Sequence, residues 1–230
     1  MPAPAGRRVA ALTVPLYWKC MVCAICELRR AKRFCPGVRG EICSLCCGTE
    51  REVSVHCPLD CEYLQDSRQH DKIPPVNPDA FPNQDIKVTD DFLHENEDLL
   101  LVLGRAVMRS ALQADAVDND VREALDALIR TYRTLQSGIY YDTRPQNPLA
   151  AAVYAGTQND VAELRRMEQE SGGITRMRDG QVLGLLVFLQ RLELDRNNGR
   201  RLGRAFIDFL RSFFAPAAEQ QPAAPSLIVP

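Results

Sequence analysis

Cys20-x2-Cys23-x2-Cys26-x8-Cys35-x7-Cys43-x2-Cys46-Cys47-x9-Cys57-x3-Cys61 gathers every cysteine of the chain, nine among 230 residues, into one stretch. Two Cys-x-x-Cys turns, Cys23/Cys26 and Cys43/Cys46, let paired thiolates converge on one tetrahedral ion while backbone amides soften their charge. The odd count and the repeated pairs fit a reduced, metal-binding module better than a disulfide framework. Energetics point the same way. The apolar residues of the stretch, among them Val22, Ile25, Phe34, Val38, Ile42, Leu45, Val53 and Val55, are too few for an independent core. A structural zinc ion contributes about 10–16 kcal/mol to folding, enough to take the place of that core.

The other thiols, Cys35, Cys47, Cys57 and Cys61, supply a second set of four. Adjacent Cys46 and Cys47 point in different directions and so serve different ions. Pro58 suits the first turn of a helix, which would put Cys57 and Cys61, at i and i+4, on one helical face. That helix would continue through Tyr63 and Leu64 towards His70. The spacing therefore predicts two zinc ions on Cys23, Cys26, Cys35, Cys43, Cys46, Cys47, Cys57 and Cys61, with Cys20 and His56 left over. The alternative metal is an iron–sulfur cluster. Cys20-x2-Cys23-x2-Cys26 matches the start of a ferredoxin run, and prolines follow Cys35 and Cys57, but position 30, where the next ligand belongs, is Arg30.

Interleaving the pairs gives a cross-braced double-zinc finger. The arrangement over residues 23–61 resembles the HIT and MYND type fingers, which also end in a His/Cys-x3-Cys pair on a helix. Those families use four clean pairs, and here Cys47 takes the place of the near partner that Cys35 lacks. The segments Ile42-Cys43-Ser44-Leu45-Cys46-Cys47-Gly48-Thr49-Glu50-Arg51 and Cys57-Pro58-Leu59-Asp60-Cys61-Glu62-Tyr63-Leu64 are similar to uncharacterised bacterial cysteine-rich proteins with CCGT-x-R and CP-x-DC-x-YL motifs. That resemblance implies a shared helical part and brings no activity with it.

Outward from the cysteines the composition is that of a soluble globular protein, 46% hydrophobic and 25% charged, with a formal net charge of −2. Residues 1–19 read as a flexible leader. Arg7 and Arg8 ahead of Val9 to Trp18 imitate a signal peptide, but Thr13, Pro15 and Tyr17 interrupt the apolar run and no cleavage site follows. The cysteine-rich, zinc-binding module covers residues 20–71. Pro74, Pro75, Pro78 and Pro82 make residues 72–88 a stiff linker. Residues 215–230, rich in Ala and Pro, read as a disordered tail.

Residues 89–214 carry helical periodicity. A first helix is expected from Thr89 or Asp90 to Gln113, with Leu99, Leu103, Ala106 and Val107 on one stripe. Asp120, with Glu123 three residues on, caps a second that carries Val121, Leu125, Leu128, Ile129, Tyr132 and Leu135 and closes at Gly138. Asn147-Pro148 opens a third, with Val153, Val161 and Leu164, that ends at Gly172-Gly173. The fourth spans Asp179 to Arg196, with Val182, Leu185, Leu186, Leu189 and Leu192 inward. The fifth runs from Arg200 to Phe214, with Leu202, Phe206, Phe209, Leu210 and Phe213 inward. The fold class is mainly α: a small N-terminal double-zinc finger, treble-clef or cross-brace-like, followed by a five-helix bundle.

Residues 1–70 hold ten basic and seven acidic side chains. Arg29, Arg30, Lys32, Arg33 and Arg39 form one basic stretch, read first as offsetting thiolate charge and second as a phosphate contact. Arg196, Arg200, Arg201 and Arg204 form another at the end of the fourth helix, where cations favour the helix dipole. Neither has the interleaved aromatics of single-strand binders. Three histidines, no nucleophile elbow and no phosphate-binding glycine loop give no catalytic constellation. Asp115, Asp118 and Asp120 lack calcium-loop spacing and read as a turn and a helix cap. Tyr140, Tyr141, Phe206, Phe209, Phe213 and Phe214 read as core. No apolar run reaches the ~20 residues of a membrane span. The sequence thus predicts a cytoplasmic, non-enzymatic adapter that binds a protein, with structural zinc sites and no membrane. The alternatives are a nucleic-acid-binding finger, using Arg29, Arg30, Lys32 and Arg33 or Arg196, Arg200, Arg201 and Arg204, and a thiol redox sensor.

Overall fold

A computed structural model describes residues 22–71, 76–139, 141–172 and 177–214. The leader, Cys20, the first prolines of the linker, Tyr140 and the tail lie outside the described residues. The chain is mainly helical with a small N-terminal cysteine cluster, and it divides at Cys61/Glu62 into two compact units.

The first unit begins with a tight turn. Val22 bridges Arg30, the Cys23 amide donates to the Arg29 carbonyl at 2.8 Å, and Glu27 takes a left-handed φ of 53° so that its own amide reaches back to Cys23. Strands β1 (Arg33–Cys35) and β2 (Gly40–Ile42) follow as an antiparallel hairpin with Arg33 opposite Ile42. The Ala24 amide donates to the Glu41 carbonyl and ties the turn to the hairpin. Helix α1 (Ser44–Glu50) starts directly behind β2, with Cys43 in extended conformation as its N-cap. A turn over Glu50–Val55 brings the chain back, with Glu52 buried at a φ of 54°. Cys57 and Cys61 then flank a turn closed by the Cys61 amide on the Pro58 carbonyl, rather than sharing a helical face. The helix expected from Pro58 begins only at Glu62.

The second unit holds α2 (Glu62–His70), a short 3-10 turn (Pro78–Ala80), α3 (Asp90–Glu95), α4 (Glu97–Gln113), α5 (Asp118–Gln136), α6 (Pro148–Gly172), α7 (Asp179–Arg196) and α8 (Ala205–Phe214). Helix α2 belongs here because Arg68 pairs with Asp208 and Gln65 donates to the same carboxylate at 3.2 Å. Helix α5 packs on α6 and α7, and α4 on α6 and α8. Leu103 and Val107, Leu125 and Leu128, Val153, Leu185 and Leu189, and Phe206 and Leu210 are all buried between them.

Departures from the periodicity have local causes. The first expected helix breaks at Asn96, whose side chain donates to the Phe92 carbonyl at 2.7 Å and accepts from Gln181 at 2.6 Å. An Asn that bonds the backbone in this way competes with the helix ladder. Helix α5 starts two residues ahead of Asp120, which bonds back to the Val117 amide at 2.9 Å. Asp118, 1% exposed, caps a different helix: its carboxylate accepts from the amides of Phe206 and Ile207 at 3.0 and 3.1 Å. That cap sets the start of α8 at Ala205 instead of Arg200. Before it, Asn197 and Asn198 hold the amides of Gly199 and Arg200, with Gly199 at a φ of 71°. Phe214 is buried against Gly104, so Phe213, one residue earlier, faces outward at 64% exposure; Tyr141 is likewise exposed at 65%.

The later part of the proline-rich segment is fastened to the helices. Arg133 donates to Asp85 and Asn83, Arg191 donates to the carbonyls of Asn83 and Ile86, and Asn83 donates to Gln190 at 2.8 Å. The second unit also buries a polar cluster. Glu193, 0% exposed, accepts two bonds from Arg122 at 2.7 and 3.1 Å and one from Asn197 at 2.6 Å.

Candidate metal centre

The ligand atoms of Cys23, Cys26, Cys43 and Cys46 all lie within 4.8 Å of one another. Two come from the first turn and two from the start of α1, so the hairpin between them serves to fold one pair over the other. Cys23, Cys43 and Cys46 are buried and Cys26 is half-buried. Among the described residues this is the one group of three or more candidate ligands at that spacing.

Backbone N–H groups converge on the sulfurs. The amides of Leu28 and Arg29 hold the Cys26 thiol down at about 6. Burial pushes the Cys23 thiol up, but the amides of Cys26, Cys43 and Ile25 outweigh it and leave it below its ordinary value. The Cys46 amide donates to the Cys43 sulfur at 3.4 Å, as the first N–H of a helix does to a capping side chain. Cys46 itself is pushed up to about 12, first by burial and then by the neighbouring sulfurs of Cys43, Cys26 and Cys23. The sulfurs of Cys43, Cys26 and Cys23 thus oppose ionisation of Cys46, and a divalent cation between the four would reverse that opposition. The Arg29 guanidinium donates to the Cys26 sulfur and feels the charge of Cys43, which raises its own affinity for its proton. A four-thiolate donor set suits a soft or borderline metal, zinc or iron, and excludes the oxygen-seeking magnesium and calcium.

The other predicted ligands have separate surroundings. The guanidinium groups of Arg33 and Arg51 each approach the half-buried Cys47 sulfur at 3.7 Å. Cys35, at the end of β1, and Cys57 are buried, and Cys61 is half-buried. Burial pushes the Cys57 thiol up, aided by the charges of Glu52, Cys35 and Cys61. The sequence reading anticipated a basic stretch turned towards sulfur but not the part of Arg51. Its signal was present: Arg51 lies four residues beyond Cys47, the spacing that brings two side chains together along a helix.

The second basic stretch is engaged within its own unit. Arg196 stacks over the Phe209 ring at 4.9 Å and reaches Asp195 at 3.3 Å, Arg204 pairs with Asp115 at 3.1 Å, and Arg200 approaches Asp71 at 3.9 Å. No helix among the described residues is long and apolar enough to cross a membrane. Comparison of the chain with protein-family models, with curated proteins and with solved structures finds no match.

Proposed function

We propose that the protein is a zinc-binding, non-enzymatic adapter in which Cys23, Cys26, Cys43 and Cys46 hold a structural ion and the partner is a protein. The observation that carries this reading is the closed set of four thiols. Four protein thiolates fill a tetrahedral zinc and leave no position for water or substrate, which is the arrangement of structural rather than catalytic sites. The same reading takes the turn, hairpin and short helix as a treble-clef-like finger followed by a five-helix bundle. A second zinc on the remaining thiols, and cytoplasmic residence in a reducing compartment, belong to the same reading.

A protein partner is favoured over nucleic acid by what the first unit leaves in solvent. Leu28 is 86% and Phe34 57% exposed, and Leu45 and Val53 are exposed as well. Large apolar side chains in water suit a protein surface. Two of the arginines that would meet phosphates face sulfur instead, Arg29 beside Cys26 and Arg33 beside Cys47. Elemental analysis with an absorbance spectrum of the anaerobically purified protein tests the metal. Zinc without absorbance near 400 nm is expected, and iron with such absorbance overturns the reading. Binding of a single-stranded oligonucleotide that weakens steeply with salt, and is lost on replacing Arg30 and Lys32, would favour the nucleic-acid alternative. Zinc release under mild peroxide with the helices intact would favour the redox sensor.

A further inference from the structure

Two of the thiols outside the first group, Cys35 and Cys57, lie on segments that are packed together. The hairpin turn that follows Cys35 is pressed against the strand of chain leading to Cys57: a Cβ on Gly37 would stand 2.6 Å from the His56 carbonyl oxygen and 2.8 Å from the Val55 side chain. Cys35 and Cys57 are both buried there, and Cys61 follows Cys57 across the turn closed by its own amide on the Pro58 carbonyl. Two buried thiols with a third four residues along the chain, in a unit whose buried aliphatic side chains among the described residues are only Ile42, Val55 and Leu59, fit a cation better than an apolar role. Cys47 has other company. Two guanidinium groups approach its sulfur at 3.7 Å, so the positive charge beside it already comes from the chain rather than from an ion.

We infer that the cysteine unit binds a second thiophilic metal ion through Cys35, Cys57 and Cys61, with Cys47 outside the ligand set and a non-thiolate donor in the fourth position. The three sulfurs are not drawn to the spacing of the first group, so the ion itself closes this site, as metals do when binding is coupled to folding. Three thiolates against four make the second ion the more weakly held. The inference rests on the zinc reading above and refines it, because the cysteine count alone assigned Cys47 to this ion.

The test is zinc content and chelator-driven release in the full-length protein and its variants. Two zinc ions per chain are expected, the first equivalent leaving to a chromogenic chelator well before the second. Cys47→Ser should keep both. Cys35→Ser and Cys57→Ser should each lack the fast equivalent and keep the slow one, and Cys61→Ser takes their place if either fails to fold. A single zinc in the unaltered protein overturns the second site. Loss of one equivalent in Cys47→Ser overturns the ligand assignment. Absence of zinc altogether contradicts the zinc reading itself.

Discussion

Single residues set the charge of the metal centre and the ends of the helices. Arg29 feels the charge of both Cys26 and Cys43, so it acts on both halves of the candidate ligand set at once. Outer-shell partners of this kind are worth about 10- to 100-fold in metal affinity. Arg29→Gln should therefore lose zinc to a competing chelator at correspondingly lower concentration, and an unchanged competition curve would show that the guanidinium plays no part. Asp118 is a comparable case in the helical unit. Removing its carboxylate leaves the Phe206 and Ile207 amides buried without their acceptor, so Asp118→Ala should cost about 1–2 kcal/mol, read from urea unfolding with an unchanged slope. The sequence marked Asp118 as part of a cap, but periodicity speaks only of neighbours along the chain. The helix that Asp118 caps starts some 87 residues later, at Ala205, and a contact of that range leaves no local pattern.

At the scale of elements, most helix ends were legible because they rest on local chemistry. Asn147-Pro148 opens α6 and Asp179 opens α7 as expected, and both run to the predicted ends. What escaped was set by tertiary contact. The break at Asn96 depends on Gln181 of α7, and the inward turn of Phe214 depends on the absence of a side chain at Gly104. Gly184 accommodates a ring in the same way. A Cβ there would sit 2.6 Å from Phe92, so Gly184→Ala should destabilise by about 1–3 kcal/mol through overpacking; a thermal midpoint equal to the parent's would contradict the packing described. The connection between α5 and α6 carries a pH signature. Tyr154 donates to Asp142, and with Arg144 beside it the carboxyl is held below its ordinary value of 3.8. A carboxylate lowered by folding stabilises the protein above its unfolded value and loses that contribution as pH falls through the lowered one. The stability difference between the parent and Asp142→Asn should therefore be constant above about pH 5 and shrink below the ordinary value, as denaturant titrations at successive pH would show.

For the molecule as a whole, every cysteine of the sequence precedes the division at Cys61/Glu62, ten residues before the end of the module read from composition. Four of the eight proposed ligands, Cys23, Cys26, Cys43 and Cys46, lie within 4.8 Å of one another. Cys47 was assigned by counting, and only the folded hairpin shows Arg33 and Arg51 at its sulfur. The proline-rich segment looked like a spacer because proline forbids helix, yet Asn83 and Asp85 within it are held by Arg133, a contact composition does not encode. Two units stabilised by different means should respond differently to loss of metal. On the zinc reading the first relies on metal-bound thiolates beside a small buried set of Ile42, Val55 and Leu59, whereas the second buries Leu103, Leu125, Leu185 and Phe206. Hydrogen exchange on the full-length protein with and without chelator tests this most directly. The account predicts that chelation abolishes amide protection across residues 22–61 while residues 97–136 and 179–214 keep theirs. Protection in residues 22–61 that survives complete removal of the metal would contradict it.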